Sequence, residues 1–115
     1  MTPVSFSTAL RNSTLDLTAE QLATTRGIFA RLLPGSTVWA FGSRVTGRAK
    51  PTSDLDLCIV SHGPLSTREL ESLRSAFEES SLPMKVDLVE WARLSLRFRA
   101  LVERHHAVLV VGRHG

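Results

Sequence analysis

Apolar residues recur along this chain with two different periods, and each change of period marks a new element. After a polar, non-periodic stretch over residues 1–13, Leu22, Phe29, Leu32 and Leu33 return at helical spacing, behind a Thr18/Gln21 pair that suits a capping box. Pro34-Gly35 ends that helix, and STVWAF (36–41) reads as a short buried strand. A turn region runs to Ser53, and DLDLCIVS (54–61) reads as a second strand that Gly63-Pro64 breaks. Ser66 and Glu69 offer another capping box ahead of Leu70, Leu73 and Phe77, which share one helical face. Pro83 closes this helix, and MKVDLVEW (84–91) is a third alternating strand. Leu94, Phe98, Leu101, Val102 and His105 give a last helical face, and AVLVV (107–111) a last strand.

The predicted order is helix, strand, turn, strand, helix, strand, helix, strand, with no internal repeat. Four strands with interleaved helices argue for a mixed α/β or α+β layer on a single sheet. Residues 1–13 are expected to be a loose arm, 14–112 one domain and 113–115 a tail.

Composition changes this picture little. At 115 residues the chain can bury one core and has no room for a separate substrate domain. A formal charge of +3 fits an anionic partner without selecting one. Cys58 is the single cysteine, which excludes an internal disulfide; set in an apolar run, it reads as reduced and buried. One cysteine and four scattered histidines cannot build a zinc cluster. The apolar stretches are too short to cross a bilayer, and residues 1–13 lack the features of a signal peptide. The expected location is therefore cytoplasmic.

The chemistry concentrates in FGSRVTGRAKPTSDLDLCIV (41–60). Strand side chains alternate, so Asp54 and Asp56 project from one face with Cα atoms about 6.5–7 Å apart while Leu55 and Leu57 pack behind. Carboxylates so spaced can share a hard divalent cation such as Mg²⁺, which completes its shell with phosphate oxygens and water. The same alternation also describes a half-exposed edge strand. Upstream, Gly42 follows a buried strand and lets a phosphate approach the backbone, and Ser43 is a candidate N-cap for a short helical turn that Gly47 ends. Free amides there, with Arg44, Arg48 and Lys50, could hold an anion. A capped turn with solvated arginines is the structural alternative. Asp87, between Val86 and Leu88, is costly in an apolar strand unless it is paired or bound to metal. A salt bridge to an arginine would serve as well. Glu90 lies three positions on and faces the other side of an ideal strand.

Gly42-Ser43, ten intervening residues, Asp54-x-Asp56 and a later strand aspartate at 87 together resemble the nucleotidyltransferase superfamily related to DNA polymerase β. The run FGSRVTG…SDLDL is similar to its smallest branch, the minimal nucleotidyltransferases (MNT) of prokaryotes. Thr46 departs from the pattern, standing where many members carry a second arginine; Arg48 could compensate.

The resemblance covers residues 18–111 and implies an α+β fold, one mixed sheet of about four strands flanked by helices, like a polymerase palm. It implies nucleotidyl transfer from an NTP, ATP foremost, with release of pyrophosphate. On matching positions, Gly42, Ser43, Arg44 and Arg48 would bind phosphates, and Asp54, Asp56 and Asp87 would be catalytic and hold two Mg²⁺ ions. Two metals about 3.5–4 Å apart can ionise an acceptor hydroxyl and neutralise the leaving pyrophosphate. Asp87→Ala should then cripple chemistry more than nucleotide binding.

Larger relatives append acceptor-binding domains for which this chain has no length, so the acceptor is expected on a partner. In the resembling family that partner is commonly a helical HEPN toxin, and some of the MNT antitoxins transfer AMP from ATP to a tyrosine of the toxin. The chain contains no tyrosine, which excludes modification of its own tyrosine but not of Ser or Thr. Nucleic acid is a less favoured acceptor, and no membrane is implied.

Two rival readings stand beside this one. Arg99 and His105 form R-x₅-H, similar to the ribonuclease motif of HEPN proteins, but that site belongs to an all-helical fold and His105 continues an apolar face, as a partly buried, hydrogen-bonded residue would. A catalytically weak domain could instead neutralise its partner by docking through the basic last helix, with Arg93, Arg97, Arg99 and Arg104. His62 is expected on a surface loop, and Trp39 and Trp91 in core or interface.

Overall fold

The structure is a computed structural model that describes residues 15–60 and 63–112. The expected arm, the expected tail and His62 lie outside the described residues. Helix α1 spans Ala19–Leu32, and its start is the predicted capping box: Thr18 Oγ1 accepts from the Gln21 amide and Gln21 Oε1 from the Thr18 amide, both at 3.0 Å. Strand β1 (Val38–Phe41) leads through Gly42 into a single helical turn, α2 (Ser43–Thr46). Strand β2 (Leu55–Ile59), helix α3 (Thr67–Glu78) and strand β3 (Val86–Glu90) follow; α3 carries the second predicted capping box, Ser66 with Glu69. A short 3₁₀ turn at Trp91–Arg93 precedes helix α4 (Leu96–Arg104) and strand β4 (His106–Val110).

The strands form one mixed sheet in the order β3-β2-β1-β4. Strand β1 runs antiparallel to β2 and β4, and β2 runs parallel to β3. A parallel pair needs a long crossover, which α3 supplies. Alternation assigns the two faces. Val38, Ala40, Leu55, Leu57 and Leu109 are almost wholly buried beneath α1 and α3, where Phe29 and Phe77 meet with ring centroids 5.6 Å apart. The opposite face carries Trp39, Phe41, Asp56 and Asp87. There Trp39 stacks on His106 at 3.9 Å and meets Trp91 edge-on at 5.6 Å, while Phe41 meets Phe98 of α4 at 5.9 Å.

Helix α4 departs from the expected face. Val102 is buried and Phe98 half-buried, but Leu101 is exposed, Leu94 precedes the helix, and His105 is its exposed C-cap rather than a partly buried residue. Only a narrow stripe of the helix meets the sheet, because Arg99 takes up part of the contact: its Nε donates to Trp91 O at 2.9 Å and its guanidinium lies 5.2 Å from the Trp91 ring centroid. Among the described residues no helix is long and apolar enough to cross a membrane.

Candidate active site

The parallel register of β2 and β3 places Asp56 opposite Asp87, and the antiparallel register of β1 and β2 places Asp56 opposite Phe41, the residue before Gly42. Three segments thus bring the predicted residues to one end of one face. Asp54 lies immediately before β2 and is exposed, Asp56 is half-buried, and Asp87 is exposed rather than turned into the core. No salt bridge forms at Asp87 among the described residues. Glu90 points the other way, as its offset requires. It is 8% exposed, its Oε1 accepts from the Leu65 amide at 2.7 Å, and its Oε2 meets Arg93 Nε at 3.1 Å.

The three carboxylates feel one another. Burial, then the charge of Asp87, then that of Asp54 push the Asp56 carboxyl up to about 6. Among the described residues, however, no three acidic, histidine or cysteine side chains close into a compact ligand set. The expected triad therefore shares a face without converging on a point, and repulsion between like charges opposes closer approach. The donor set still suits a hard cation: it is all oxygen, anionic and set beside a glycine.

Gly42 is required by that closeness. Its φ of +83° suits glycine, and a Cβ there would collide with the Asp56 carboxylate. Gly42, not Ser43, is the N-cap of α2; Ser43 is its first residue and no side chain caps the turn. This corrects the expectation of a serine cap, because a residue with positive φ can reverse the chain within one position. Gly47 ends the turn in the left-handed region, as predicted. Arg48 is exposed beside it.

Arg44 departs further from expectation. It is 5% exposed, and its guanidinium donates to the main-chain carbonyls of Asp16, Lys50, Pro51 and Ser53 at 2.9–3.3 Å. A guanidinium so engaged is not presented to a triphosphate. Partners that are all backbone oxygens leave no side-chain pattern by which to find this role. Cys58 is buried and free, and burial pushes its thiol up to about 11 against the opposing charge of Arg99, which fits the inert reading.

Comparison with known proteins agrees with this geometry. The profile of the nucleotidyltransferase domain family matches residues 22–108. A curated protein of Haemophilus influenzae, a probable protein adenylyltransferase MntA, is 47% identical over 95 residues, which make up 83% of each chain. Among solved structures, a toxin–antitoxin complex with AMP-PNP aligns at TM-score 0.68 and 20% identity over 81% of this chain and 75% of that one. An MNT antitoxin in complex with the tri-AMPylated HEPN toxin of Shewanella oneidensis aligns at 0.62 and 19% over 81% and 71%. At such identities the structures speak for the fold, an α+β palm with a mixed four-stranded sheet. With its glycine turn set against paired carboxylates and its profile matched over most of its length, the chain belongs to the nucleotidyltransferase domain family, in the branch of the minimal nucleotidyltransferases.

Proposed function

We propose that this protein is a Mg²⁺-dependent nucleotidyltransferase that moves AMP from ATP onto a hydroxyl of a HEPN-type toxin and so acts as its antitoxin. The observation that carries the reading is the Asp56–Asp87 pair on adjacent parallel strands, with the Asp56 carboxylate directly against Gly42. The relative from H. influenzae and the fold neighbours found with AMP-PNP and with an AMPylated toxin support the donor and the acceptor class.

Each residue has a part that its position allows. Gly42, lacking a side chain, lets a triphosphate lie close to the acidic strand, with Ser43 as the next residue along it. Arg48, exposed where α2 ends, supplies a cation for the phosphates. Asp54, Asp56 and Asp87 would hold two Mg²⁺ ions. Bound there, Mg²⁺ supplies charge neutralisation for the leaving pyrophosphate and lowers the pKa of the acceptor hydroxyl. Asp87, exposed on edge strand β3, stands where a hydroxyl can arrive from solvent or from a partner.

A second reading has an observation of its own. Leu96 and Leu101 are 81% and 51% exposed on α4, beside the exposed Arg97 and Arg104, a surface suited to docking without chemistry. Incubation with ATP, Mg²⁺ and the HEPN partner, followed by mass spectrometry of the partner, separates the two. An AMP adduct that is absent with Asp54→Asn establishes transfer; neutralisation that persists in Asp54→Asn without an adduct establishes docking.

A further inference from the structure

We propose that Arg44 is a positioning residue, whose guanidinium builds the turn that presents Asp54 and Asp56, and not a ligand of the triphosphate. The proposal rests on the reading of those aspartates as the transferase site.

Arg44 lies two residues beyond Gly42, and its side chain reaches across to the segment that delivers the acids. Nε and Nη2 both donate to Ser53 O, at 3.1 and 2.9 Å, and Nη2 also approaches Pro51 O at 3.2 Å and Lys50 O at 3.3 Å. Nη1 donates to Asp16 O at 3.1 Å, and the Asp16 amide returns a bond to Arg44 O at 2.7 Å. Ser53 is bonded directly to Asp54, and the β2–β3 pairing begins one residue later, where the Leu55 amide donates to Lys85 O at 2.8 Å. One planar group therefore ties the glycine turn, the loop before β2 and the segment leading into α1 to a common frame.

Charge points the same way. The described ion pair joins Arg93 and Glu90 and does not involve Arg44, so among the described residues this buried cation is answered by carbonyl dipoles. A guanidinium offers up to five donors in a rigid fork, whereas the lysine ammonium gathers three on one atom and cannot span carbonyls spread from residue 16 to residue 53. A phosphate ligand, by contrast, tolerates lysine as a point charge.

The test compares Arg44→Lys with the wild type by hydrogen exchange and by steady-state transfer of AMP from ATP to the HEPN partner. The proposal expects faster exchange confined to residues 15–17 and 47–55, with the amides of β1 and α3 unchanged. It also expects kcat lower by about 10- to 100-fold, since misplacement of order 1 Å carries such a loss, with KM for ATP shifted by less than about 3-fold. Wild-type kcat with the lysine, or a raised KM at unchanged kcat, overturns it. If Arg44→Lys does not fold, Ser53→Ala serves. It removes the bond from the Lys50 amide to Ser53 Oγ at 2.8 Å and loosens the same turn while leaving Arg44 in place. The proposal then expects faster exchange over 50–54 and a lower kcat at constant KM; an unchanged kcat overturns it. A wild type with no transfer activity would instead sink the functional reading, and the exchange data would still judge the positioning role.

Discussion

Replacing Asp56 by asparagine should remove activity and yet stabilise the fold. The Asp56 carboxyl is pushed from an ordinary 3.8 up to about 6 by burial and by the charges of Asp87 and Asp54. The folded state therefore holds this proton more tightly than the unfolded state does. Stability that is full below about pH 4 falls as the pH rises through 6, because the unfolded chain releases the proton first. A shift of about two units corresponds to roughly 3 kcal/mol. Asp56 is half exposed, so water screens the effect, and about 1 kcal/mol is the better expectation. Asparagine has the same shape and never ionises. Asp56→Asn should match the wild type near pH 4, gain between about pH 4 and 6, and stay about 1 kcal/mol more stable above that, near 4 °C in Tm. Urea unfolding across this range, without divalent cations, measures it. A variant that is less stable at neutral pH, or a gain that does not change with pH, would refute the electrostatic reasoning.

Four further outcomes follow at three positions. Gly42→Ala should cost about 1–3 kcal/mol in denaturant unfolding, because φ of +83° is strained for alanine and its Cβ meets the Asp56 carboxylate. Glu90→Ala should cost about 1–3 kcal/mol by leaving the Leu65 amide without its acceptor. Glu90→Gln, which keeps an acceptor and loses only the pairing with exposed Arg93, should cost less than about 1 kcal/mol. Cys58, buried and pushed up to about 11, should resist iodoacetamide in the folded protein at mildly alkaline pH and react promptly in denaturant.

Local signals were the legible ones. Both capping boxes and the alternation around Asp56 depend on residues within a few positions of one another, and each appears in the structure where its spacing puts it. Asp87 is joined to Asp54 and Asp56 only through the resemblance to the nucleotidyltransferase superfamily, because which strands pair, and in what register, is settled by tertiary packing and not by residues near it in the chain. The role of Arg44 could not be read locally either. Its acceptors are backbone oxygens, two of the segments involved are far apart in the chain, and an arginine beside a glycine–serine pair looks the same whether it faces phosphate or protein. Helix α4 shows the same limit. A period of apolar residues marks a face, but the sheet contacts only the stripe around Phe98 and Val102, leaving Leu101 and His105 outside. The tightness of the acidic cluster was also beyond the pattern, since spacing along strands orders directions and not the distance at which like charges settle.

The central claim is that Asp56 and Asp87 together direct nucleotidyl transfer, and the position of the label in ATP tests it most directly. Reactions run with the HEPN partner and ATP labelled on either the α- or the γ-phosphate should leave α-label on the acceptor and none of the γ-label, with transfer lost in both Asp56→Asn and Asp87→Asn. Acceptor carrying γ-label, or α-label transferred as well by Asp87→Asn as by the wild type, would contradict it.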